Sequence, residues 1–91
     1  MMQVSDRSPD DFLDELPEQH RDDMKTLDAI IASIFADDSR VMWEGVFWGG
    51  SQQSIIGYGD LVQLRSNGAT VEWFVIGLAL QKAGISVYVN A

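Results

Sequence analysis

VMWEGVFWGGSQQSIIGYGDLV, residues 41–62, reads as two aromatic-rich, Gly-punctuated strands folded on one hairpin. From Val41 the apolar residues recur every second position, the period of a strand. Trp43, Gly45 and Phe47 fall on one face, and Met42, Glu44, Val46 and Trp48 on the other. Apolar bulk on both faces predicts a strand that is covered on both sides or lies next to a ligand or partner. Gly49-Gly50 turns the chain, with Ser51 to Gln53 in the loop, and a second strand runs from Ser54 to Tyr58. Gly57 and Gly59 flank Tyr58, which points to a bulge or a close backbone approach.

Outward from this hairpin the same period continues. A third strand, Leu61 to Arg65, ends at Asn67-Gly68, a strong short-hairpin signal. A fourth runs from Thr70 to Leu78, with Gly77 bending or ending it, and a fifth from Ile85 to Asn90 after the turn Lys82-Ala83-Gly84. On the N-terminal side the period is helical. Ser8 can cap, Pro9 suits a first helical position and Asp11 takes the place of the capping-box acid, so a short helix covers Pro9 to Glu15, with Phe12, Leu13 and Leu16 apolar. Leu16 precedes Pro17 and avoids the helical region, so the helix breaks there. Pro17 opens a second helix to Phe35, with Met24, Leu27, Ile30, Ile31, Ile34 and Phe35 on its apolar face and Asp22, Asp23, Lys25, Asp28 and Ser33 opposite. Residues 1–8 are expected to be disordered. The whole predicts one domain, residues 1–91, of class α+β: two N-terminal helices packed on a mainly antiparallel five-stranded sheet.

Charge divides the chain. Residues 1–38 hold eleven acids and three bases and carry the full net charge of −8, whereas residues 39–91 balance Glu44, Asp60 and Glu72 against Arg40, Arg65 and Lys82. An acidic front repels phosphate, so neither a nucleic acid nor an anionic membrane is an expected partner. It attracts cations, metals and basic proteins, or simply solubilises the helices. The absence of cysteine excludes disulfides and thiolate chemistry. The longest uncharged apolar run, Trp73 to Leu80, falls far short of a membrane span, and no secretory pattern opens the chain, so a cytoplasmic location is expected.

The segments MWEGVFWGG (42–50), IIGYGDL (55–61), VEWFVIGLALQK (71–82) and ISVYVNA (85–91) resemble the YdhG-like family, a bacterial domain of unknown function. The preceding helices, with LDEL and PEQHR, suit that family's opening, so the resemblance covers roughly residues 9–91. Members usually carry further helical sequence after the last of these strands. The resemblance implies an α+β fold and, in part of the family, a frataxin-like iron-chaperone role. It brings no fixed ligand motif that could be matched residue by residue.

Two sets of candidate site residues follow. Asp10 with Asp14, Asp11 with Glu15, and Glu18 with Asp22 are each four apart and share a helix face. Hard cations take oxygen ligands, so these carboxylates would make a shallow, weak metal site, with iron the metal the resemblance implies and His20 able to add a nitrogen. Exposed helix acids seldom converge, and a solvated surface is the competing reading. The second set is Trp43, Glu44, Trp48, Tyr58 and Trp73, an aromatic lining for a small ligand or another chain. The competing reading is that these rings fill the core between helix and sheet. Buried, Glu44 would have a raised pKa and need Arg40 or Arg65 as partner; otherwise it faces water. A Ser/His/Asp triad has no pattern in its favour, IIGYGD lacks the membrane helices of a potassium filter, and Gly49-Gly50 lacks the helix of a phosphate loop. No enzyme activity and no tightly bound cofactor are expected. The function expected is iron handling through the acidic helices; the alternative is a non-enzymatic binding module. A basic protein or a second copy, paired through an exposed edge at Ile85 to Val89, is the expected macromolecular partner.

Overall fold

The computed structural model describes residues 2–46, 52–64, 66–68, 70–82 and 84–90. Within them the order is β1 (Met2–Ser5), α1 (Pro9–Asp14), α2 (Glu18–Ile34), β2 (Arg40–Val46), β3 (Gln52–Tyr58), β4 (Leu61–Leu64), β5 (Thr70–Trp73), β6 (Ile76–Gln81) and β7 (Gly84–Val89). Five strands form one antiparallel sheet in the order β1-β2-β3-β6-β7, and β4 pairs with β5 in a separate ribbon. The class is α+β, with two helices and a five-stranded antiparallel sheet. Among the described residues no helix is long and apolar enough to cross a membrane.

The helices begin and end where the local chemistry places them. The Ser8 hydroxyl accepts the Asp11 N–H, and Pro9 sits at the start of α1, where its missing N–H costs nothing. Glu18 lies in the first turn of α2, favourable to the helix dipole. The two helices are tied by the Arg21 guanidinium, which donates to the Leu16 carbonyl at 3.1 and 2.8 Å, and by Lys25 on Asp14 at 2.6 Å.

Four expectations are corrected. Residues 2–5 are a strand: β1 pairs with β2 from Met2↔Gly45 to Ser5↔Met42. The segment Thr70 to Leu78 is two strands, because Phe74 turns into the interior at 1% exposure and the Val75 N–H bonds the Tyr58 carbonyl at 3.0 Å. Gly77 lies inside β6, so it does not end the strand. The strands therefore do not follow one another as a simple meander: β4 and β5 form a ribbon inserted between the sheet neighbours β3 and β6. Gly59 launches that insertion, with a positive φ of +76° and its N–H on the Ser39 carbonyl at 2.8 Å. A side chain there would strain the backbone and press on Phe35 and Val75.

The fourth correction is on α2. Ile30 and Ile34 are 53% and 70% exposed, whereas Asp28, expected to face water, is buried at 8%. A helix turns about 100° per residue. Met24, Leu27, Ile31 and Phe35 fill a stripe over the sheet; Ile30 and Ile34 fall off one side of it, and Asp28 takes the other side.

The sheet is covered on both faces at its centre. Against the helices lie Met42, Ile56, Tyr58 and Leu78 with Phe12, Leu13, Leu16, Met24 and Ile31. On the opposite face Ile55, Phe74 and Ala79 form a second core with Trp43, Trp73 and Tyr88 packed on it. The expectation that β2 is apolar on both faces is met, but among the described residues Trp43, Trp73, Phe74 and Tyr88 sit behind the sheet and not between sheet and helix. Beyond the helices, β7 is a sheet edge with Val87 and Val89 exposed.

Candidate functional site

The ribbon β4–β5 leaves a cleft of about 340 Å³ where it meets β1 and β2. Strand alternation puts Val41 and Trp43 on the face of β2 turned away from the helices, and Val4 stands opposite Trp43 in the register. The ribbon supplies Leu61 and Trp73, which face each other across it, and Val62 and Glu72, the next pair. Ser39 and Asp60 close one end, with the Ser39 hydroxyl donating to Asp60 Oδ1 at 2.7 Å.

The Trp43 and Trp73 rings meet at 5.0 Å between centroids and 60°, and Trp73 stacks on Phe74 at 4.6 Å and 25°. Trp43 also meets the edge of Phe74 at 6.0 Å. These separations lie in the range of favourable aromatic pairs. Room for the rings comes from Gly57 and Gly77, which are paired across β3 and β6. A Cβ on Gly57 would lie 2.5 Å from Trp43 Cδ1, and one on Gly77 would lie 2.5 Å from Phe74 Cε1. The expected close approach beside Tyr58 is therefore real, and it serves the aromatic layer.

The predicted aromatic set divides. Trp43 and Trp73 line the cleft together. Trp48 lies outside the described residues, as does Arg65. Tyr58 is fully buried on the helix side, with its hydroxyl donating to Asp28 Oδ1 at 2.6 Å, so it does not line this cleft. Glu44 also faces the helix side and is only partly buried. Its pKa is lowered, contrary to the rise expected on burial, because hydrogen bonds from Ser5 first, and then from Arg7 and Ser54, outweigh its desolvation. Its partner is Arg7, at 3.1 Å, and not Arg40.

Arg40 is occupied by Asp28, through Nε at 3.0 Å and Nη2 at 2.8 Å, and by Asp10 at 2.9 Å. The arrangement follows from register: Arg40 and Tyr58 are cross-strand partners on the helix-facing side, directly under Asp28. Burial, and then the Asp28 carboxylate, push the Tyr58 pKa up. A raised value in the folded state means that this contribution to stability is complete below the ordinary tyrosine pKa of about 10 and is lost as pH rises from there. Alkaline titration followed by circular dichroism is expected to show loss of structure beginning above about pH 10, and Tyr58→Phe should weaken that limb.

The acids of the front do not converge. Asp10 turns to Arg40, Asp14 to Lys25 and Glu15 to Arg7, so both members of the first predicted pair and one member of the second are drawn towards three different cations. Lys25 holds the Asp14 carboxyl below its ordinary range. Asp11, Glu18 and Asp22 are exposed, and His20 contacts Gln19. Among the described residues no group of three or more His, Cys, Asp and Glu gathers to hold a metal ion.

Sequence reasoning found two cleft residues and missed Asp60 and Glu72. The available signal was that these are two of only three acids in the charge-balanced half of the chain. Comparison with protein families, with characterised proteins and with solved structures returned no match to this chain.

Proposed function

We propose that this protein is a binding module, not an enzyme, and that it takes a small ligand in the cleft between the sheet and the β4–β5 ribbon. The observation that carries the reading is the pairing of Trp43 and Trp73 over an apolar floor in a concavity of about 340 Å³. That size is near the lower end of ligand sites, which combine apolar walls with a few placed polar groups. Asp60, Glu72 and Ser39 are the polar groups here. The test is a titration with small soluble apolar and aromatic fragments, followed by the indole N–H resonances. Binding is expected to shift the Trp43 and Trp73 signals, and Leu61→Glu should abolish the shifts. Fragments that move neither indole signal would sink the reading.

The acidic front supports a second reading, weak iron binding of the kind implied by the YdhG-like resemblance, because the whole charge of −8 lies in residues 1–38. Ferrous iron, added without oxygen and with magnesium as control, should then broaden amides between residues 10 and 28. Changing Asp10, Asp11, Asp14 and Glu15 to Asn or Gln should remove the effect, and unchanged binding in that variant would count against it. For macromolecular partners, the same front suits a basic protein, and the exposed edge of β7 suits a second copy. Sedimentation showing a monomer at high concentration would eliminate the second copy.

A further inference from the structure

We infer that the ligand class of the cleft is an organic cation, an alkylammonium whose charged head lies between the Trp faces and the Asp60 and Glu72 carboxylates. This rests on the reading of the cleft as a binding site and adds the sign and chemistry of its occupant.

The charged residues that line the cleft, among those described, are Asp60 and Glu72, and both are acidic. They are set on different elements, Asp60 at the entry to β4 and Glu72 on β5. Ser39 donates to Asp60 Oδ1 at 2.7 Å, which orients that carboxylate as an acceptor. The rest of the wall is Trp43, Trp73 and branched aliphatic side chains. Tryptophan faces attract cations through the ring quadrupole, and carboxylates at the rim of the same space add direct attraction. An anion would meet only repulsion from this lining, and the protein's overall charge of −8 would oppose its approach.

The chemistry also separates an organic from an inorganic cation. A hard divalent ion needs about six or more oxygen ligands, or retained water in their place, and gains nothing from apolar walls. Two carboxylates and one hydroxyl on an otherwise apolar surface do not provide that shell. An alkylated ammonium spreads its charge over methyl groups and needs little hydration, so Val41, Leu61 and Val62 can cover its carbon body while the carboxylates meet its head. Aromatic enclosure of such cations is a recurring solution to this problem.

The test uses the full chain and a matched pair of probes: choline, and neohexyl alcohol, in which carbon replaces the quaternary nitrogen. Both are titrated against the indole N–H signals of Trp43 and Trp73. Choline is expected to bind roughly tenfold more tightly than the alcohol, and the double variant Asp60→Asn, Glu72→Gln should bring the two affinities together. Both positions are exposed, so the variant should keep a wild-type spectrum elsewhere, and the comparison on the wild type stands without it. Equal affinity for the two probes overturns the cation assignment while leaving the cleft as an apolar binding site. Failure of both probes, together with failure of the apolar fragments, overturns the cleft itself.

Discussion

Asp28→Ala is expected to lower the unfolding free energy by about 3 kcal/mol, as a fall in the urea midpoint with an unchanged slope. The carboxylate is almost wholly inside, where it accepts from the Tyr58 hydroxyl and from two nitrogens of Arg40. Its removal leaves a phenol and a guanidinium facing a cavity. Breaking a buried pair by deleting one partner usually costs about 3–5 kcal/mol, chiefly through the charge left behind. The lower end applies because the Arg40 side chain keeps 26% of its exposure and retains Asp10. Two controls separate this cause from simple loss of packing. Asp28→Asn keeps an acceptor for Tyr58 and should cost less. Arg40→Met combined with Asp28→Ala should cost less than the sum of the two single changes, because no orphan charge then remains. Additive costs would show that the pair is not coupled as the geometry requires.

Gly57→Ala should destabilise by about 1–3 kcal/mol and also disturb the cleft. The added methyl would lie 2.5 and 2.7 Å from Trp43 Cδ1 and Nε1 and 2.9 Å from Phe74 Cβ. No real Cβ tolerates such contacts, so the indole must leave its seat on β3. Trp43 is a wall of the cleft, so its displacement should shift the Trp73 indole signal through their contact at 5.0 Å and weaken fragment binding. Trp43→Ala in the same background is the deciding measurement. It removes the two shortest contacts and leaves that with Phe74 Cβ at 2.9 Å, so Gly57→Ala should then cost less than in the wild type. A cost independent of Trp43 would place the strain at Phe74 Cβ or in the backbone instead.

Much of this fold is legible locally. Ser8-Pro9 and Leu16-Pro17 mark helix boundaries through steric and capping effects that operate within about four residues. The period of two in VMWEGV places Met42 and Trp43 on opposite faces, and the structure puts them in opposite cores. Even the need for glycine beside Tyr58 follows from the side chains around it. The pairing of Trp43 with Trp73 as lining residues was within reach for the same reason, since large rings on a sheet face must find a cover.

The features that local sequence did not foretell share a physical origin in contacts between segments remote in the chain. Composition marks residues 2–5 as loose, yet they become a strand because the open edge of β2 offers hydrogen bonds to any extended segment that reaches it. Helical periodicity cannot bury an aspartate; Asp28 goes inside because Arg40, 12 residues on, and Tyr58, 30 residues on, meet it from neighbouring strands. The segment from Thr70 to Leu78 reads as one strand, and it divides because Phe74 enters the second core as the chain rejoins β3. The i, i+4 carboxylates share a helix face, but long basic side chains from elsewhere in the chain reach them, so Asp10, Asp14 and Glu15 pair with three separate bases. Asp60 and Glu72 come to line the cleft with Trp43 and Trp73 in the same way, through contact between the ribbon and strands remote from it in the chain.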